Sequence, residues 1–240
     1  YVEIGQYAGV DASEWSWSPV FIDADLDGYE DLLIVTGRYY DGMALDAKTR
    51  LSAMLSRQTS RSESEVFRYP RLETQNFAFR NRGDLRFDEV SRGWGFDAVD
   101  ISHGMATGDL DNDGDLDIVY NSLETPPGVY RNDAGAARIA VRLRGTAPNT
   151  QAIGAKIRIG GAPVEQSKEV VCGGTYLSGS DQLYSCAAVN IDDTLSIEVS
   201  WRSGKVTTIA NAVANRVYEI DERTSTPAPA PVPAGRSATA

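Results

Sequence analysis

Histidine is all but missing from this chain of 240 residues, with His103 the single example. A histidine-built metal centre is thereby excluded, and a histidine-led hydrolase would need a nucleophile and an orienting partner that no motif supplies. Neither a Gly-x-Ser-x-Gly elbow nor a phosphate-binding P-loop occurs. Basic residues are also scarce: 23 Lys and Arg face 34 Asp and Glu, a formal net charge of −11. A surface of that sign argues against a nucleic-acid partner, which would want a basic face. No apolar run approaches the roughly 20 residues of a membrane span. Cys172 and Cys186 are the two cysteines, 14 residues apart. They fit one disulfide in an oxidising compartment or two buried thiols equally well. The chain starts at Tyr1 with no signal-like segment, the expectation for a processed or truncated product.

What the chain has in excess is aspartate at fixed spacing. Asp109-Leu110-Asp111-Asn112-Asp113-Gly114-Asp115-Leu116-Asp117 places acids at positions 1, 3, 5 and 9 and glycine at 6, and Asp23-Ala24-Asp25-Leu26-Asp27-Gly28-Tyr29-Glu30-Asp31 repeats the pattern. Four carboxylates crowded into nine residues repel one another unless a cation sits between them. A hard cation that accepts six to eight oxygens, above all Ca²⁺, suits such a loop. Alternate acids point inward, position 7 offers its carbonyl, and Gly at 6 permits the turn. An EF-hand would need Glu at position 12, where these loops carry Ile34 and Tyr120. Apolar β-prone runs follow instead, Leu32-Leu33-Ile34-Val35 and Ile118-Val119-Tyr120. Each loop therefore joins two strands, Val20–Asp23 to Asp31–Val35 and Met105–Asp109 to Asp117–Asn121.

Hydrophobic content of 42% and charged content of 24% are globular values, and the length allows one large or two ordinary domains. Trp15 and Trp17 share one strand face, better suited to core or inter-blade packing than to a sugar-stacking platform. Residues 38–71 break the β pattern and read as an insertion, with a short helix over Ala44–Leu55 and an exposed loop over Gln58–Glu65. Asn76–Asn81 and Leu85–Ser91 resume as strands around a turn at Arg82-Gly83-Asp84. Phe21–Thr36 with Asn76–Asn81, and Thr107–Ser122 with Gly128–Asn132, then form an internal repeat. Without the insertion its period is about 50 residues, the size of a four-stranded propeller blade. Two blades are fewer than a closed propeller needs. Either further blades precede Tyr1, or another chain or the C-terminal part covers the open side. From Ala137 short strands follow at 139–144, 155–159, 164–172, 183–188, 195–201, 205–209 and 216–220, the texture of a β-sandwich or barrel-like domain. His103, six residues before the second acidic loop, reads as a structural residue beside it. Residues 224–240 alternate Pro with Ala or Val, an extended polyproline-like tail without internal hydrogen bonds, suited to lie along a neighbouring chain.

These stretches resemble known families. Phe21–Gly37 and Gly108–Tyr120 resemble the FG-GAP (VCBS-type) repeats of integrin-α-like β-propellers, and Phe79-Arg80-Asn81-Arg82-Gly83-Asp84 resembles the stretch between such repeats in bacterial members. Arg142-Leu143-Arg144-Gly145, Asn149, Ala152-Ile153-Gly154-Ala155, Gly173–Ser180 and Val199–Gly204 resemble the ASPIC/UnbV domain, which follows such repeats in cartilage acidic protein and its bacterial relatives. The resemblance implies an all-β chain: a partial β-propeller of about two FG-GAP blades over 1–136 with a helical or loop insertion, then a β-sandwich-like ASPIC/UnbV domain over 137–223 and a tail over 224–240. It also implies two Ca²⁺ sites. The first takes the side chains of Asp23, Asp25, Asp27 and Asp31 with the Tyr29 carbonyl. The second takes those of Asp109, Asp111, Asp113 and Asp117 with the Asp115 carbonyl.

The expected function is a calcium-binding, non-catalytic adhesion or assembly module, extracellular, periplasmic or on the cell surface. Its partner would be a protein or glycan of the cell surface or matrix, or further copies of itself in an oligomer or filament. Nucleic acid and a membrane span are not expected. One alternative is a carbohydrate-binding or Ca²⁺-assisted polysaccharide-processing domain using Trp15, Trp17, Tyr39, Tyr40 and Tyr176. The other is the subunit of a homopolymeric surface fibre. Ser178-Gly179-Ser180-Asp181 carries hydroxyls, but Gly and Ser there are turn chemistry.

Overall fold

The structure, a computed structural model, describes residues 1–55, 69–162, 164–188, 190, 194–224 and, as backbone, 228–231. The expected loop over Gln58–Glu65 lies outside the described residues. A short helix α1 (Gly5–Ala8) precedes β1 (Ser16–Ile22) and β2 (Asp31–Thr36), and helix α2 (Leu45–Leu55) stands within the insertion. Then come β3 (Thr74–Gln75), β4 (Phe77–Asn81), β5 (Phe87–Glu89) and β6 (Val99–Asp100), followed by β7 (Ser102–Gly108), β8 (Asp117–Ser122) and β9 (Gly128–Tyr130). Strands β1-β2-β4-β5 form one antiparallel four-stranded sheet, the complement of a propeller blade, and β7-β8-β9 form a three-stranded counterpart. The chain thus contains one full blade and a three-stranded second one among the described residues.

The blades meet through an apolar layer: Val20 and Ile22 of β1, Leu33 and Val35 of β2 and Ala78 of β4 pack with Met105, Ile118, Tyr120 and Phe96. Strand β2 is buried at every position, because its other face, Leu32 and Ile34 with Phe79, is covered by Val10 of the N-terminal segment. That explains its unbroken apolar run, which a half-exposed strand would not carry.

The second half is a sandwich of two four-stranded sheets. One is β13-β10-β16-β17 and the other β12-β11-β14-β15, from β10 (Arg138–Arg144), β11 (Lys156–Gly160), β12 (Gln166–Glu169), β13 (Leu183–Ala187), β14 (Leu195–Ser200), β15 (Val206–Ala212), β16 (Arg216–Asp221) and β17 (Ala228–Pro231). Alternation places Ile157 and Ile159 of β11 and Leu195, Ile197 and Val199 of β14 inside against Ile139, Val141 and Leu143 of β10. Cys172 is exposed and Cys186 buried, and both are free thiols. Burial pushes the Cys186 thiol up to about 12, so it serves as a small apolar core residue.

The open side of the second blade is closed from within the chain. Along the β7 edge that does not face β8, the Ser178 hydroxyl donates to the Met105 carbonyl at 2.6 Å, the Thr107 amide donates to the Ser180 hydroxyl at 3.1 Å, and the Asp181 amide donates to the Thr107 carbonyl at 2.9 Å. Ser178-Gly179-Ser180-Asp181 is therefore edge cover for β7. Tyr176 of the same segment stacks on Trp17 at 5.0 Å, and Trp17 meets His103 at 4.6 Å. Trp17 thus packs at the junction of β1, β7 and the C-terminal half.

Two expectations need correction. His103 does not sit beside the acidic loop. It lies near the start of β7, and the six residues to Asp109 span about 20 Å of extended strand. Nor does the described part of the Pro-rich tail lack partners within the chain. Ala228–Pro231 runs antiparallel to β16, with Val217 opposite Ala230 and Glu219 opposite Ala228. Proline is compatible with an edge strand because one alternate set of residues there needs no ladder N–H, and a Pro-Ala alternation supplies that set. Removing residues 224–240 should therefore bare the β16 edge and increase self-association. Mass measurement of the full and shortened chains at several concentrations checks this. A shortened chain that associates less than the full one would mean that the tail bridges copies instead.

Candidate metal centres

The two acidic loops fold by the same hydrogen bonds. At position 1, Asp23 accepts the amides of Asp27 and Gly28 at 3.0 and 2.9 Å, and Asp109 accepts those of Asp113 and Gly114, both at 3.0 Å. At position 5, Asp27 accepts the Tyr29 amide and Asp113 the Asp115 amide. At position 9, Asp31 accepts Ala24 N at 2.9 Å and Asn81 N at 2.8 Å, while Asp117 accepts Leu110 N at 2.7 Å and Asn132 N at 2.8 Å. The turn is tight enough to force positive φ at positions 4 and 6, at Leu26 and Gly28 in one loop and Asn112 and Gly114 in the other. Glycine at 6 is the inexpensive choice there, and Leu26, a branched residue at φ 57°, shows that the loop imposes the conformation.

Sequence spacing expected four side chains per site. In the first loop, oxygens of Asp23, Asp25 and Asp27 lie within 4.8 Å of one another, and in the second those of Asp109, Asp111 and Asp117 do. Asp31 is not in the first group, and Asp113 is not in the second. Both oxygens of Asp31 accept backbone amides, as do both oxygens of Asp117, which is in the second group, whereas Asp113 is turned toward Arg138, whose Nη2 lies 2.9 Å away. The amides of Tyr29 and Asp115 close their loops.

Several carboxylates are strained by their setting. Burial pushes Asp23 up to about 7 and Asp31 up to about 6, with repulsion from loop neighbours adding to it and amide hydrogen bonds opposing it. Burial also raises Asp109. Asp115 is fully enclosed; burial and then the charge of Asp113 push it up to about 8, against the pull of Arg138. Oδ1 of Asp25 and both oxygens of Asp115 are buried without a hydrogen-bond partner, although Arg138 stands 3.6 Å from Asp115. Crowded, desolvated and under-satisfied oxygens of this kind suit a divalent cation, whose charge would favour their ionised forms.

Residues absent from the sequence-based site complete the picture. Asn132 also donates through Nδ2 to the Ala24 carbonyl at 2.9 Å, tying the second repeat to the first loop. Arg80 of β4 reaches Asp25 and Asp27. From the sandwich, Arg138 donates to the Asp113 carbonyl at 2.8 Å, Ser185 donates to the Gly114 carbonyl at 2.9 Å, and Lys168 pairs with Glu30. Both loops are thus docked on the C-terminal sheets. The one available signal was the repeated Arg-Asn of Phe79-Arg80-Asn81 and Tyr130-Arg131-Asn132.

The aromatic candidates fall in two places. Trp17 and Tyr176 are stacked on each other, while Tyr39 packs edge-on to Tyr40 and hydrogen-bonds Glu124. Trp15 lies under the Arg38 guanidinium.

Comparison with known families agrees with this layout. Residues 66–120 match the FG-GAP-like repeat and residues 145–227 match the model described as ASPIC and UnbV. The chain thus carries a stretch similar to an FG-GAP-like repeat, followed by one similar to the ASPIC and UnbV domain. The FG-GAP match takes in the second acidic loop and begins after the first, which shares the hydrogen-bond pattern of the second. No curated protein matches the chain. FG-GAP repeats are typical of extracellular proteins, and both domain types are typically non-catalytic. Among the described residues, no helix is long and apolar enough to cross a membrane.

Two outcomes follow from the carboxylates. Asp23, Asp31 and Asp115 keep protons in the folded state that the unfolded chain releases near the ordinary value of 3.8. Calcium-free protein should therefore be most stable near pH 4, as far as these groups decide it, and lose stability as pH rises toward about 8. Added calcium should flatten or reverse that slope, which thermal melts in chelator and in calcium at each pH would reveal. Asp117→Ala should cost about 2–5 kcal/mol even in chelator, because two backbone donors lose their acceptor. Asp111→Ala, which removes no such acceptor, should be near neutral in chelator, and urea titration separates the two.

Proposed function

We propose that this chain is a calcium-binding, non-catalytic module for adhesion or assembly, extracellular, periplasmic or on the cell surface. The observation that carries the reading is the match between the loops. In each, backbone amides fix the fold of the turn, and three carboxylates still converge within 4.8 Å. Calcium, when bound, would supply the charge that lets these acids ionise together in a partly buried turn. Asp23, Asp25 and Asp27 would hold it in the first loop, and Asp109, Asp111 and Asp117 in the second, with the Tyr29 and Asp115 carbonyls and the remaining acids, Asp31 and Asp113, as further oxygens.

The role is one of scaffold support. The loops lie between the blades and the sandwich, so neutralising them stabilises the junction of the two halves. Extracellular calcium is millimolar, and weak sites suffice there. The groups that could have served hydrolysis are occupied structurally. Ser178 and Ser180 cover the β7 edge, and burial holds His103 below its usual range beside Trp17. The partner would be a protein or glycan of the cell surface or matrix, or another copy of the chain.

At a calcium concentration about a hundredfold above the dissociation constant, one site contributes about 2.7 kcal/mol. For a chain of this size that corresponds to roughly 5–10 °C in melting temperature. Chelation should lower the melting temperature by about that amount, and Asp109→Ala or Asp111→Ala should remove much of the calcium response. Melting that ignores both chelator and these substitutions would rule the reading out.

A further inference from the structure

The two loops share their hydrogen bonds but not their charged neighbours. Arg80, on β4 beside β2 in the same sheet, forks across the first loop. Its Nε lies 2.5 Å from Asp25 Oδ2 and its Nη2 lies 3.1 Å from Asp27 Oδ2. Those are two of the three carboxylates that converge there. The corresponding residue of the second repeat, Arg131, turns away and holds Asp133 at 2.7 Å. The converging set of the second loop, Asp109, Asp111 and Asp117, has no Lys or Arg ion pair among the described residues. Arg138 engages that loop only through Asp113 and Asp115, outside the set.

We infer that Arg80 is a tethered cation that competes with the divalent ion for the first loop, so that the second loop fills first and the first loop fills only at higher ion concentration. The inference rests on the calcium reading above. The guanidinium occupies oxygens that an ion would need, and its positive charge opposes a second cation at contact distance. It is also an incomplete substitute: Asp25 Oδ2 is paired, but Asp25 Oδ1 stays buried without a partner. The Arg80 side chain is 47% exposed and can therefore swing into solvent when an ion enters. Without the ion it offsets the repulsion between Asp25 and Asp27, so the first loop keeps its shape across changes in calcium.

Isothermal titration of the full, metal-stripped chain with calcium chloride tests the ranking. Two classes of site are expected, the tighter lost in Asp111→Asn and the weaker in Asp25→Asn. Arg80→Ala should tighten the weaker class by about three- to tenfold, the scale of an exposed ion pair, and leave the tighter class unchanged. It should also lower the melting temperature in chelator. Arg80→Lys, which keeps the charge but cannot fork across two carboxylates, should tighten it less, and it serves if the alanine variant does not fold. Unchanged constants in the arginine variants, or loss of the tighter class in Asp25→Asn, would overturn the inference and leave the calcium reading standing. An absence of binding at millimolar calcium in the unmodified chain would remove both.

Discussion

Asp31 and Asp117 each hold three pieces of chain with one carboxylate. Each is buried, each accepts the amide of position 2 in its own loop, and each accepts the amide of an asparagine at the end of the following strand. The bond therefore fixes the loop to itself and to the next strand of the sheet. With both oxygens bonded to backbone, such an acid is part of the scaffold before any ion is considered. The converging acids, at positions 1, 3 and 5 in the first loop and 1, 3 and 9 in the second, are then displayed from a turn that is already shaped. Ion binding to that turn requires little ordering of the chain, which is the condition under which weak oxygen ligands can hold a hard cation.

The same loops form the seam of the molecule. Asn132 links the second repeat to the Ala24 carbonyl of the first loop, and Ser185 and Arg138 fasten the sandwich to the second. Gly28 faces Val164 and Gln166, and an added Cβ would come within 3.2 Å of Val164, so the first loop can approach β12 this closely only without a side chain at position 6. Gln166 is itself buried, exchanging two hydrogen bonds with the Ala187 backbone across the two sheets of the sandwich.

Much of this was legible in the residues. The short strand stretches at 155–159 and 195–201 marked β11 and β14, the unbroken apolar run marked β2, and the acid-glycine spacing marked both loops, because each pattern reports a local requirement of one strand or one turn. What escaped were contacts between elements. Arg80 and Arg138 look like ordinary strand residues, and only folding brings their guanidinium groups to the acids. Asp115 offered a position-7 carbonyl to a reader of the spacing, yet its side chain is the most deeply enclosed acid of that loop. The Pro-Ala tail was misread because a lack of donors is a property of proline alone. In alternation with alanine, it leaves a strand with one usable edge.

The packing of the two blades follows the same reasoning. Blades need neighbours for two separate reasons, an apolar face to bury and a strand edge to satisfy. Here the faces of the first blade are buried by the second blade on one side and by Val10 on the other. The β7 edge is satisfied by Ser178, Ser180 and Asp181 of the sandwich. Those residues reach β7 at its middle, while Ser185 and Arg138 reach the loop at its end, so the C-terminal half grips the second blade along its length. The blade and the ASPIC/UnbV domain are accordingly interdependent: the sandwich supplies a strand neighbour, and the second acidic loop supplies the anchor for the first strand of the sandwich. Arg138 joins the two halves at this point, because it begins β10 and holds the loop through Asp113.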